Sequence, residues 1–424
     1  MATYSKGNDL TIEDAQIKES IEYQEIKLDK HGLPLVPQPS NHSDDPLNWS
    51  PSLKLSVALQ VSWLAFVGPM SSAVGNPAFV PIGKAFHITT VEASYSLTMY
   101  IIWAAVGPLL AVPLANTFGR RPVYLVGNLV AGICNVAGGY SPSWAGVMAT
   151  RAFVGIFAGS PATIGPATIC DMYFMHERGF YMGVWATLPT RKIKISDFWR
   201  PLYMAKYLTV LLPALYYMTC FGYGSVLFAA TGSQLFAKTY HFELYQTGLL
   251  LSIPLLVGCF IGECSTGWFI DWLVSRYAKH HGGERRPEAR LDGLWLGLLV
   301  PIGVIIQGAC LYHHKSWVGT AFGMGLANLG LQAATTVTYA YTTDYYKSQS
   351  TEIACFLNLM RNGFSALISF YAIPLAEEIN IEYAWLIFAL LNVAFFVPFL
   401  GLKWFGPKVS KLSWQTPPSF HNDL

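Results

Sequence analysis

Charge is what this chain has least of: Asp, Glu, Lys and Arg make up 12% of its 424 residues, about half the share of a soluble domain. That excludes the ordinary soluble globular class, and a mean hydropathy of +0.36 points the same way. The net charge of +2 supplies no basic surface for nucleic acid, so none is expected as a partner. Seven cysteines stand singly within or at the ends of apolar stretches, with no CxxC pair and no cluster. Neither a disulfide framework nor a metal site is expected from them. Enzyme signatures are missing too. There is no HExxH, no GxSxG and no phosphate-binding glycine loop, and the ten histidines fall in tails, loops or segment ends. Catalysis and a cofactor are therefore not expected.

What the chain has in abundance is long apolar runs. Ten segments stand out, at residues 55–77, 93–115, 123–139, 144–168, 202–230, 247–272, 291–311, 317–341, 354–375 and 383–405. Most are long enough to cross a hydrocarbon core of ~30 Å at 1.5 Å per residue. Backbone amides find no water there, so the segments should be helices in a lipid bilayer. With the N-terminus placed in the cytoplasm, 22 of the 27 lysines and arginines fall on the cytoplasmic side. Lys84, Lys238 and Lys315 lie outside, and Arg151 and Arg361 lie within segments. This is the bias of the positive-inside rule, and it puts both termini in the cytoplasm. The expectation is an all-α, multi-pass membrane bundle of about ten helices.

Organisation follows from composition. Residues 1–54 read as a polar, disordered cytoplasmic tail without a signal peptide. Residues 55–170 form a first bundle of four spans, 171–201 a charged cytoplasmic linker, 202–405 a second bundle of six spans, and 406–424 a cytoplasmic tail. Two related halves are common in transporters, and a weak internal repeat supports them here. Asn116-Thr117-Phe118-Gly119-Arg120-Arg121-Pro122 follows the second span of the first group; Gly267-Trp268-Phe269-Ile270-Asp271-Trp272, with Arg276 after it, follows the second span of the other. Each sets a small polar or acidic residue and then a cation in a tight turn. Either alone reads as an ordinary positive-inside loop.

The residues Gly119-Arg120-Arg121-Pro122, in that position, resemble the cytoplasmic signature of the major facilitator superfamily. Asp45-Pro46-Leu47-Asn48-Trp49 before the first span, and Arg151-Ala152-Phe153-Val154-Gly155 in the fourth, are similar to its fungal drug:proton antiporter members. Tyr339 to Asp344, Ser350-Thr351-Glu352 and Asn358 to Asn362 look like that group's tenth and eleventh spans. The resemblance covers nearly all of residues 44–405 and implies the major facilitator fold. It further implies proton-coupled efflux of drugs, toxins or secondary metabolites by alternating access, at the plasma membrane. The chain also departs from the family pattern. Twelve spans are usual, yet Gly179 to Ala186 begins as a fifth span and stops at Leu188-Pro189-Thr190, where Arg191-Lys192 follows. Spans five and six are absent from the sequence. Either the protein lacks them, leaving the contact between halves one helix short, or the reading frame behind this sequence skips them. The signature itself carries Asn116 where the family has an acid and Val112 where it has glycine, which implies a weaker cytoplasmic gate.

A charge within a bilayer needs an explanation. By the resemblance, Arg151 belongs to the central pathway; the plainer alternative is an arginine paired with backbone or snorkelling to the interface. Glu263 is the one carboxylate well inside an apolar stretch, and proton coupling needs such a group; a structural hydrogen bond to a neighbouring helix is the equal alternative. Arg361, two turns inside its span, is read as pairing with interfacial groups ahead of the alternative, a part in transport. Gln60, Trp63, Tyr216, Tyr217, Asn328 and Gln332 lie on the family's cavity-lining spans and suggest a small organic substrate held by a few hydrogen bonds. The expected transport pathway is thus Arg151, Glu263, Gln60, Trp63, Asn328 and Gln332, and the expected cytoplasmic gate Asn116, Gly119, Arg120, Arg121 and Asp271. Glycines four apart (155 and 159, 258 and 262, 293 and 297, 319 and 323) should let helices approach closely. Bilayer, small organic substrate and protons are the expected partners. A second reading, favoured by the missing spans, is a non-transporting remnant that binds a full-length partner.

Overall fold

The computed structural model describes residues 48–161, 163–165, 196–280, 287–346 and 349–409. Most of the expected N-terminal tail, linker and C-terminal tail, and the incomplete fifth span at 179–186, lie outside the described residues.

Every described element is helical. The first half holds α1 (Pro51–Ala73), α2 (Phe79–Phe86), α3 (Thr90–Phe118), α4 (Arg120–Gly139) and α5 (Trp144–Ala158). After α6 (Ser196–Tyr203) come α7 (Leu208–Phe221), a π-helical turn (Gly222–Val226), α8 (Leu227–Tyr240) and α9 (Leu244–His280). A 3-10 segment (Pro287–Leu298) leads into α10 (Leu299–Tyr312), followed by α11 (Trp317–Tyr345), α12 (Ser350–Ile379) and α13 (Ile381–Val409).

Local sequence sets the ends of these helices. Ser50, Ser143 and Ser316 each accept a hydrogen bond from the first turn of α1, α5 and α11, satisfying amides that the helix leaves open. Thr89 and Glu92 form a reciprocal capping box at α3: the Glu92 amide donates to Thr89 Oγ1 at 3.2 Å and the Thr89 amide donates to Glu92 Oε2 at 2.7 Å. Gly119 separates α3 from α4 with φ 86° and ψ 162°, a region open essentially to glycine alone.

Nine of the described helical stretches are long and apolar enough to cross a membrane. Ten were expected, and the tenth, α11, is present as a 29-residue helix. Its Asn, Gln and Thr content keeps it below the hydropathy of the others while it packs between α9 and α10. Two boundaries differ from expectation. The first span runs on from α1 through a short 3-10 turn into α2, reaching Phe86. The fifth starts at Leu208 rather than 202 and reaches Tyr240; residues 196–203 fold as the separate α6, with Pro201 inside it.

The seams are built on glycine. A Cβ on Gly107 of α3 would lie 2.2 Å from the Ile156 carbonyl oxygen of α5, and one on Gly155 would lie 2.5 Å from that of Tyr100. In the second half a Cβ on Gly258 of α9 would meet the Gly325 oxygen of α11 at 2.1 Å, and one on Gly303 of α10 would meet the Gly323 oxygen at 2.4 Å. Backbones so close gain dispersion contacts that replace the missing hydrophobic drive between helices in lipid. The expected pairs 155/159, 258/262 and 319/323 all fall on such seams.

The halves join chiefly through α3 against α12, with Tyr95 and Phe370 rings 4.9 Å apart. A single apolar core continues across this contact, from Leu97 and Ile101 to Val226 and Ile368. By contrast, α9 touches the first half near its start, where Gly248 approaches Pro77. The stretch 208–240 buries 72% of its most apolar part and 244–270 only 22%. Leu249, Ile253, Leu256 and Phe260 of α9 are exposed.

Candidate functional site

Where the halves meet, they line a partly open cavity of about 160 Å³. The first half contributes the end of α1 with Asn76 after it, Leu97, Tyr100 and Ile101 of α3, and the end of α5. The second contributes Phe221, the π turn and α8, and Arg361 with Asn362 from α12. A π turn adds a residue to the helical circuit, and here it brings Ser225 and Val226 to the cavity wall.

Arg361 is the dominant charge in this wall. Its Nη1 donates to the Tyr217 hydroxyl at 2.9 Å, and its guanidinium stands 4.6 Å from the Phe221 ring centre and 5.9 Å from that of Tyr217. Tyr339 meets Tyr217 edge-on at 5.7 Å. Of the two readings the sequence allows for Arg361, it favours interfacial pairing over a part in transport; an aromatic cage in fact holds the side chain at the cavity between the halves. Among the described residues no carboxylate lies within ion-pair distance of it, and its Nε is buried without a hydrogen-bond partner.

Of the expected pathway residues, Arg151 lies on α5 and donates from Nη1 to the Ser71 carbonyl at 3.0 Å, tying α5 to the end of α1. It stands behind the cavity wall and not in it. Glu263 and Gln332, which the sequence could only nominate separately, are brought together: Gln332 Nε2 donates to Glu263 Oε2 at 3.1 Å across α9 and α11. Asn328 is buried one turn earlier on α11, against Gly258. These three share a seam away from the cavity, and Glu263 is exposed on its outer side. Gln60 and Trp63 point outward from α1, Trp63 with 62% of its surface exposed. Tyr216 packs inside the second half against Phe396 and Phe399.

Gly119 forms the α3–α4 turn and Arg120 and Arg121 open α4. The side chains of Asn116 and Asp271 lie outside the described residues. A polar cluster that the sequence did not single out joins the 3-10 segment to its neighbours. Arg290 pairs with Asp344 at 2.7 Å, Lys403 pairs with Asp292, and the Tyr345 hydroxyl donates to Glu288. Its members lie on three separate stretches of sequence, and only Asp344 fell within a recognised motif. Asn76 and Tyr100 were also missed, since an isolated Asn near a span end and a Tyr in an apolar run carry no pattern.

A helical bundle with nine described stretches able to cross a membrane and a largely apolar cavity between its halves has the architecture of a multi-pass transporter. The profile of the Major Facilitator Superfamily matches residues 61–188. The MFS transporter cpaT of Aspergillus oryzae is 27% identical over 381 residues, covering 71% of this chain and 76% of its own. The efflux pump radE of Floropilus chiversii is 22% identical, covering 83% and 80%, and an uncharacterized transporter of Schizosaccharomyces pombe is 23% identical, covering 92% and 96%. The fold is similar to that of the human organic anion transporter MFSD10, with a TM-score of 0.56, 13% identity, and cover of 83% of this chain and 100% of that one. The chain is thus similar to members of the major facilitator superfamily along most of its length.

Proposed function

We propose that this transporter exports small organic molecules by alternating access of the bundles 55–170 and 202–405, driven by the proton gradient. The observation that carries this reading is the cavity shared by both halves, with polar groups from each facing an otherwise apolar wall. Relatives described as transporters or efflux pumps support the direction of transport. In this reading Glu263, steadied by Gln332, is the proton-coupling carboxyl, and Asn328 lies beside it on the α9–α11 seam. Arg151 positions the end of α1; Gln60 and Trp63 belong to a path opened by movement of α1. Gly119, Arg120 and Arg121, with Asn116 and Asp271, form the cytoplasmic gate, and both termini lie in the cytoplasm of a plasma-membrane protein.

The test is efflux of dye or toxin from cells expressing the chain. Glu263→Gln should uncouple transport from the proton gradient, and Glu263→Gln combined with Arg151→Ala should abolish it. Unchanged efflux in the double variant would remove this pathway. A second reading is supported by the exposed face of α9: a non-transporting protein that covers this face with a full-length relative. Co-purification with such a relative, with no transport by the wild-type chain, would favour it.

A further inference from the structure

We infer that the cavity between the halves binds a small aromatic carboxylate, whose carboxylate group is taken by Arg361. The inference deepens the transport reading and rests on it only for the cavity's role, not for its chemistry.

Size comes first. About 160 Å³ is close to the cavity that accommodates one benzene ring, and it is too small for a drug of several rings. Charge comes second. A guanidinium stays cationic at any physiological pH, and placing one inside a membrane protein is costly unless it is paired. The Phe221 and Tyr217 rings and one hydroxyl return part of that cost. They leave Nε, buried and unpartnered, as one prong of the fork that binds a carboxylate through two parallel hydrogen bonds. No carboxylate among the described residues fills that role.

The remaining polar groups point the same way. Asn76 and Asn362, 5% and 8% exposed, both line the cavity, and the Asn76 Oδ1 is fully buried with no hydrogen-bond partner among the described residues. A buried amide left unpaired is unfavourable, and a ligand with its own donor and acceptor would satisfy it. Asn362 adjoins Arg361 and suits the carboxylate end, whereas Asn76 comes from the first half and suits a hydroxyl at the far side of a ring. Between them the wall is Leu97 and Ile101 on one side and Phe221 on the other. One fixed cation and apolar walls disfavour phosphates, which demand more charge, and an organic cation would meet Arg361 directly.

The experiment is binding and thermal stabilisation of the purified full chain in lipid nanodiscs, with benzoate, 4-hydroxybenzoate, benzamide and benzylammonium as probes. Benzoate should bind about tenfold to a hundredfold more tightly than its neutral isostere benzamide, the worth of one charge-assisted hydrogen bond. 4-Hydroxybenzoate should bind more tightly still, and benzylammonium should not bind. Arg361→Gln should erase the difference between benzoate and benzamide, and Arg361→Lys should keep part of it. Benzamide binding as well as benzoate on the wild-type chain would overturn the inference without reliance on any variant, as would the absence of binding by every probe. Benzoate binding that depends on Arg361 but is followed by no flux in vesicles sinks the transport reading and leaves this site standing. Efflux of neutral dyes with no preference for carboxylates does the reverse.

Discussion

Gly258→Ala and Gly267→Ala make the same chemical change on the same helix, α9, and should have opposite effects. On Gly258 the new methyl carbon would lie 2.1 Å from the Gly325 carbonyl oxygen and 3.2 Å from Asn328 Cβ. The closest ordinary carbon–oxygen contact is about 3.3 Å, so α9 and α11 must part by about 1 Å. The obstacle is backbone, which cannot rotate aside, and overpacking of this kind costs about 1–3 kcal/mol. On Gly267 the same carbon meets nothing within 4 Å. Both variants gain the same helix propensity, about 1 kcal/mol, so the difference between them isolates the steric cost.

Thermal unfolding in detergent with a thiol-reactive fluorophore reads this difference, because Cys220 and Cys355 are buried and react only on unfolding. Gly267→Ala should equal or exceed the wild type. Gly258→Ala should melt about 2–6 °C below it. The separation also stretches the 3.1 Å Gln332–Glu263 bond, five residues further along α9, so proton-coupled efflux should fall with stability in Gly258→Ala and stay normal in Gly267→Ala. Equal melting temperatures for the two variants would refute the close approach of α9 and α11.

Gly119→Ala should cost about 1–3 kcal/mol through backbone strain alone, since φ is 86° and no atom lies within 4 Å of the added carbon; melting at or above the wild-type temperature would argue against strain. Trp385 Nε1 donates to Gln307 Oε1 at 2.7 Å with both side chains fully buried. Trp385→Phe should therefore destabilise by about 1–3 kcal/mol, and the double change with Gln307→Leu should restore part of the loss in a thermal melt. Thr89→Ala removes half of the capping box on α3 and should cost about 1 kcal/mol, whereas Thr89→Ser should cost little.

The spans were legible because a bilayer admits few solutions: a run of twenty apolar residues has to be a helix. Even α11 could be read despite Asn328 and Gln332, since Gly319, Gly323 and the apolar residues around them continue its pattern. Ends were less legible. Residues 202–206 look apolar enough to join the next span, yet Pro201 and the short 3-10 turn at Met204–Lys206 place the start at Leu208. The candidate site was legible only in parts. Charge within a span marked Arg361 and Glu263, but the partners that define each come from elsewhere in the chain. The cage around Arg361 comes from Tyr217, 144 residues away, and the bond to Glu263 from Gln332, 69 away. No local pattern encodes such pairings. They follow from which glycines let which helices meet.

Glu263 sharpens the choice between transport and a remnant role. It stands on the exposed side of α9, among Phe260, Ile261 and Trp268. A carboxylate facing hydrocarbon costs about 2.5–3.5 kcal/mol on insertion scales, and the single bond from Gln332 returns about 1.5–3 kcal/mol at most. The balance is near zero or unfavourable if the face meets lipid, and comfortable if water or another helix covers it. Cys259 lies one turn before Glu263, half-buried, and Cys264 is its exposed neighbour, so two native thiols flank the group. On a water-filled transport path a charged, membrane-impermeant thiol reagent should label Cys264 in folded protein, and an excess of substrate should slow the reaction. Labelling only by an uncharged, membrane-permeant reagent would place Glu263 against lipid and remove it from the proton path. Protection from both reagents, lost when a full-length relative is withdrawn, would instead mark α9 as the surface that a partner helix covers.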